Sequence, residues 1–185
     1  MARIQPLPPD DAKQAAVDAG LPEFVADLNV FRVWLRHPGI AKGINGLLGR
    51  LLLDGRLDAR LRELIIMRLG WSTGSDYEWT QHWRISEQLA IPAEDLLAVR
   101  EWESSDRFGE PERAVLAATD EVVRDGAVGP ATWGALVEHV SDDPVILLEV
   151  VHVIGLWRMV SSALRSLEVP LEDGVSSWPP DGRAP

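Results

Sequence analysis

Residues 61–69 (LRELIIMRL) place the strongest constraint on this chain. Their apolar side chains fall on more than one face of a helix, so the helix must be buried. Gly74 ends it, and the Ser72-Thr73-Gly74 connection is short enough to make the next helical segment an antiparallel neighbour. Elsewhere the helical period recurs, and no segment alternates convincingly as a strand would. The expected fold class is all-α. Helices are expected over roughly 22–35, 40–53, 58–72, 75–89, 93–102, 111–125, 131–139 and 144–167. Pro22 and Pro92 suit first-turn positions, and Gly55, Gly74, Gly109 and Gly126 punctuate the helices. Ser141-Asp142-Asp143-Pro144 opens the last long helix, while residues 1–10 and 174–185 read as Pro-rich, polar tails.

A length of 185 residues fits one domain, or one domain built from two similar halves. The net charge of −11 argues against nucleic acid as a partner, because binding phosphates takes clustered Lys and Arg. The chain has no cysteine, which excludes disulfides, thiolate metal sites and thiol catalysis. No signal peptide is visible in MARIQPLPPDDAK. The apolar run around 145–156, interrupted by Glu149 and His152, reads as too short to span a bilayer. A cytoplasmic protein with no membrane partner is the expectation. Glu63-Leu64-Ile65-Ile66 before Trp71 is echoed by Glu149-Val150-Val151-His152 before Trp157, as a duplicated helical unit would produce.

Ser75, Glu78 and His82 are spaced to share one helical stripe. Ser75 lies near a helix N-terminus, where free N–H groups favour negative charge. Glu78 precedes His82 by one turn, a pair able to pass a proton. Trp79 and Trp83 flank the stripe and offer an apolar wall that would raise a neighbouring carboxyl. The same residues also fit a capped surface helix with Ser75 or Asp76 as N-cap, Glu78 in a capping box and His82 solvated. Glu63, on the buried helix, needs a partner: either Arg62 or Arg68 as counter-ion, or the Glu78/His82 stripe. Arg62 and Arg68 could also anchor an anionic substrate, although the structural role is the favoured one. His152 reads as a satisfied core histidine, His37 and His139 as helix-end residues, and Trp34, Trp71 and Trp157 as core or interface residues. A metal on Glu63, Glu78 and His82 is conceivable, but no metal site is expected.

Arg60-Leu61-Arg62-Glu63-Leu64, Gly74-x-x-Tyr77-Glu78-Trp79 and Gln81-His82 together resemble the carboxymuconolactone decarboxylase and alkylhydroperoxidase D-like superfamily. Glu110-Pro111-Glu112-Arg113-Ala114 and Leu156-Trp157-Arg158-Met159-Val160 extend the resemblance. It divides the chain into an N-terminal extension (1–21), a carboxymuconolactone decarboxylase-like helical domain (22–172) and a C-terminal tail (173–185). It implies an AhpD-like fold of about eight helices with an internal duplication, assembled as a homotrimer or homohexamer. In the redox branch the Glu is followed by Cys-x-x-Cys and a His. Laid onto this chain, those positions are Glu63, Ser75, Glu78 and His82, so both sulfurs are missing. The decarboxylase branch needs no metal or organic cofactor.

The expected function is cofactor-independent acid–base chemistry (a decarboxylase, isomerase or hydratase/lyase) on a small carboxylated or enolisable cyclic compound. Glu63, Glu78 and His82 are the expected catalytic residues, and Ser75, Tyr77, Trp79 and Arg68 the expected substrate-binding residues. Two alternatives stand beside it: a peroxide-related role that uses a partner's thiols, and a non-catalytic oligomeric protein that binds a small ligand.

Overall fold

Asp58 opens the buried helix by accepting a hydrogen bond from the Leu61 N–H at 3.0 Å, which satisfies one free donor of the first turn. Gly74 closes it at φ 66°, a left-handed conformation that glycine adopts without a Cβ clash. The Ser75 N–H then returns to Gly70 O at 2.8 Å.

The structure, a computed structural model, describes residues 2–185; among these it contains nine α-helices and no strand. The helices are α1 (Pro9–Asp18), α2 (Asn29–Trp34), α3 (Pro38–Leu52), α4 (Ala59–Thr73), α5 (Asp76–Gln88), α6 (Ala93–Ala98), α7 (Glu110–Asp125), α8 (Pro130–His139) and α9 (Pro144–Leu167). Short 3-10 helices cover Glu23–Asp27 and Val99–Ser104. The all-α expectation holds. Helix α1 falls in the segment read as an extension, because its buried stripe consists only of Ala12 and Ala16. The expected helix over 22–35 is broken at Leu28, whose backbone is extended.

The chain forms two compact units, Met1–Gly55 with Ala163–Val175, and Arg56–Ser162 with Ser176–Pro185. In the first, Asn29 is buried and ties α2 to the segment after α9. Its N–H donates to the Glu172 carboxylate at 2.8 Å and its side-chain amide to Leu171 O at 3.1 Å. Arg32 Nε donates to Leu7 O at 2.6 Å.

The second unit is built around α4, where Leu64, Ile65, Ile66, Met67 and Leu69 are fully buried. Helix α5 folds back beside it, as the short connection demands. The approach is close at Gly70, where a Cβ would lie 3.0 Å from the Trp79 backbone nitrogen. Arg68 joins α4 to α7 through Asp120, and Arg60 bridges Asp95 and Glu112. The C-terminal segment is held against this unit. Trp178 packs on Trp71 and Trp79, Trp79 Nε1 donates to Pro179 O at 2.7 Å, and Arg100 binds Asp181 with two nitrogens at 2.7 and 2.9 Å.

Helix α9 corrects the reading of the 145–156 run. Glu149 and His152 do not end it, and by length and composition alone it could cross a membrane. Its stripe of Leu147, Val150, Val153, Ile154, Trp157 and Val160 is buried, as in a helix packed on protein.

Candidate functional site

Four side chains from three helices of the second unit converge on one imidazole. Glu63 comes from the second turn of α4, a position with no exposure at all. His82 comes from the middle of α5, and its Nδ1 lies 2.7 Å from Glu63 Oε2. Glu78, one turn earlier on α5, places Oε2 3.7 Å from His82 Nε2. From α9, Trp157 Nε1 donates to His82 Nε2 at 2.9 Å. Arg62 completes the group with Nε donating to Glu63 Oε1 at 3.1 Å. All five are buried. The antiparallel fold-back at Gly74 is what carries His82 back to the level of Glu63.

Electrostatics separates the two carboxyls. Burial works to raise Glu63, but the charge and hydrogen bond of His82, with Arg62 behind them, overcome it and hold the group below the usual carboxylate range. Burial also dominates at Glu78; His82 works against it, Glu63 adds repulsion, the Trp157 N–H offers slight relief, and the group ends at about 7. His82 is pulled down by burial and up by Glu63 and Glu78, with a net rise that makes it a stronger base. Such an arrangement can accept, hold and return a proton within a water-poor interior.

Each expected residue has a definite place. Glu63 meets both partners that the sequence offered it, Arg62 and the Glu78/His82 stripe, and the solvated, capped-helix alternative does not describe that stripe. Ser75 is buried at the start of α5, makes no capping hydrogen bond, and its Oγ has no hydrogen-bond partner among the described residues. Tyr77 is buried. Trp79 is fully buried in the aromatic cluster with Trp71, Trp83 and Trp178. Arg68 is taken up by Asp120 and by the carbonyls of Val99 and Arg100, so Arg62 alone is the guanidinium at Glu63. His152 is exposed, not a core residue; its Nδ1 lies 2.7 Å from Leu148 O. His37 begins α3 by accepting from the Ile40 N–H. Glu149, the echo of Glu63, accepts from the Arg56 and Leu57 N–H groups, both at 2.7 Å. Trp157 was legible only as a core aromatic; no local signal marks its indole nitrogen as part of the site. Among the described residues, no group of three or more His, Asp or Glu is arranged to hold a metal.

Residues 38–121, which include Glu63, Glu78 and His82, match the model of the carboxymuconolactone decarboxylase family. The chain has no cysteine. A comparison with curated proteins returns no match. Solved structures share the fold of this chain. The debrominase Bmp8, bound to 2,3,4-tribromopyrrole, superposes with a TM-score of 0.75 at 17% identity, over 92% of this chain and 91% of its own. The alkylhydroperoxidase AhpD core of an uncharacterized peroxidase-related protein from Ralstonia eutropha JMP134 gives 0.72 at 19% identity, over 97% and 93%. A protein of unknown function from Agrobacterium tumefaciens, described as a candidate AhpD antioxidant defence protein, gives 0.68 at 19%, over 75% and 94%.

Proposed function

We propose that this chain is a cofactor-independent acid–base enzyme of the decarboxylase, isomerase or hydratase/lyase type, acting on a small carboxylated or enolisable cyclic compound. One observation carries the proposal: two buried carboxyls beside the same imidazole differ in proton affinity, Glu63 held anionic and Glu78 raised to about 7. Groups split in this way divide the roles of acid and base. Glu78 is the acid, populated in its neutral form near pH 7. His82 is the base, and Glu63, kept charged by His82 and Arg62, orients it. In a decarboxylation, the electrons of the breaking C–C bond pass into the substrate's electron-withdrawing group as carbon dioxide leaves. The resulting carbanion takes the Glu78 proton, and His82 relays a replacement.

Ser75 Oγ, buried with no hydrogen-bond partner among the described residues, is left able to meet a substrate polar atom. The donors of Arg68 and the indole N–H of Trp79 are engaged elsewhere, so the proposal gives those two no contact with substrate. The bound tribromopyrrole of the debrominase supports a small cyclic ligand for this fold. Assembly as a trimer or hexamer and a cytoplasmic location belong to the same proposal.

The test is incubation in D2O with small carboxylated lactones and enolisable cyclic acids, following carbon dioxide release and carbon–deuterium signals. Turnover should fall ~10²–10⁴-fold in Glu78→Gln and His82→Ala. Turnover that survives both substitutions refutes the assignment. Activity found only with a peroxide and an added dithiol would favour the partner-thiol role instead.

A further inference from the structure

Trp157 does something at this site that packing does not require. An indole N–H can only donate a hydrogen bond. Its partner at 2.9 Å, His82 Nε2, must therefore present a lone pair. The proton of the neutral imidazole then resides on Nδ1 and is donated to Glu63 Oε2 at 2.7 Å. We propose that Trp157 is a positioning residue that holds His82 in the Nδ1–H tautomer and keeps Nε2, the nitrogen nearest Glu78, open as the base. This rests on the acid–base reading of the site and adds the residue that decides which nitrogen exchanges protons.

The groups around the imidazole show why a third element is needed. Arg62 and Glu63 face it from α4, Glu78 from its own helix, and Trp157 from α9. Glu63 accepts the Nδ1–H in either state and holds the imidazolium more tightly, so it favours a second proton on Nε2. The Glu78 carboxylate, 3.7 Å from Nε2, invites that second proton. Once Glu78 gave up its proton to Nε2, the ring would be an imidazolium between two anions, unable to accept anything. Trp157 opposes that state, because an Nε2–H would point a donor at a donor. When a proton moves from Glu78 to Nε2, the hydrogen bond from the Trp157 N–H is lost. No bond to carbon is involved, and the proton count of the pair is conserved.

The test is a pH titration of the His82 ring nitrogens by 15N NMR on the full chain and on Trp157→Phe, which keeps an aromatic ring and removes the donor. In the unsubstituted protein, at a pH above the ring's raised titration, Nδ1 should be protonated and Nε2 bare. In Trp157→Phe, Nε2 should gain its proton at a pH higher by roughly one unit, the scale of one lost hydrogen bond. An unchanged titration in a folded variant overturns the proposal, as does an Nε2–H tautomer in the unsubstituted protein. If the variant fails to fold, scalar coupling between the Trp157 N–H and His82 Nε2 in the unsubstituted protein decides the matter, and its absence overturns the proposal. None of these readouts needs a substrate. The expected tautomer without turnover would refute the acid–base function alone, and the opposite tautomer would refute the role of Trp157 alone.

Discussion

Glu78→Gln should make the protein more stable above neutral pH while removing its proposed acid. In the folded chain the Glu78 carboxyl is raised from its ordinary 4.5 to about 7, with burial the main cause. Between those values the folded protein keeps a proton that the unfolded chain releases, so stability falls as pH rises through the window and levels off above it. The rise corresponds to roughly 3 kcal/mol in favour of the neutral carboxyl. Glutamine has the shape of that neutral carboxyl and cannot ionise, so the variant escapes the loss. Urea unfolding at pH 5 should give similar midpoints for the two proteins. At pH 8.5 the variant should unfold later by on the order of 1–2 M urea, with the slope unchanged. His82, also raised, favours lower pH in the same way, so the decisive quantity is the difference between the proteins. A variant destabilised equally at both pH values would show Glu78 to be an ionised, favourably paired residue, and the reasoning would fail.

Three further substitutions follow from the packing and charges of the second unit. Glu63→Gln strands the buried Arg62 guanidinium and should cost about 3–5 kcal/mol, read as a lowered thermal midpoint at pH 7; a change under about 1 kcal/mol would contradict the buried pair. Because Glu63 is held below the usual range, that cost should be present at neutral pH and shrink as pH falls through its folded value. Gly70→Ala should destabilise despite alanine's helix advantage of ~1 kcal/mol, since the new Cβ meets the Trp79 backbone; a stabilised variant in urea unfolding would show that the helices can part. Trp178→Ala should cost about 3–5 kcal/mol and make the last residues sensitive to carboxypeptidase, whereas an unchanged midpoint would mean that the segment is not held.

The helical class, the buried LRELIIMRL helix and its fold-back at Gly74 were legible because they depend on local period and one left-handed turn. The convergence of Glu63, Glu78 and His82 was legible for the same reason, since one tight turn joins the two helices that carry them. Helix α1 was not, because two alanines leave almost no apolar stripe. Nor was the bound C-terminal segment: a Pro-rich run gives no sign that Trp178 will find Trp71 and Trp79, or Asp181 find Arg100. Trp157 and Arg68 show the main limit. A long side chain's partner is set by tertiary geometry, so an indole that resembled ordinary core donates to the site histidine. An arginine that resembled a substrate anchor is held by Asp120.

The central claim is that one buried carboxyl beside His82 is kept protonated near neutrality while the other stays charged. It is tested most directly by following the side-chain carboxyl carbons of 13C-labelled glutamates by NMR through a pH titration. One resonance should titrate near pH 7 and vanish in Glu78→Gln, and the resonance lost in Glu63→Gln should remain that of a carboxylate well below the usual range. If every glutamate titrates as in an unfolded peptide, the two carboxyls are not divided and the acid–base account is wrong.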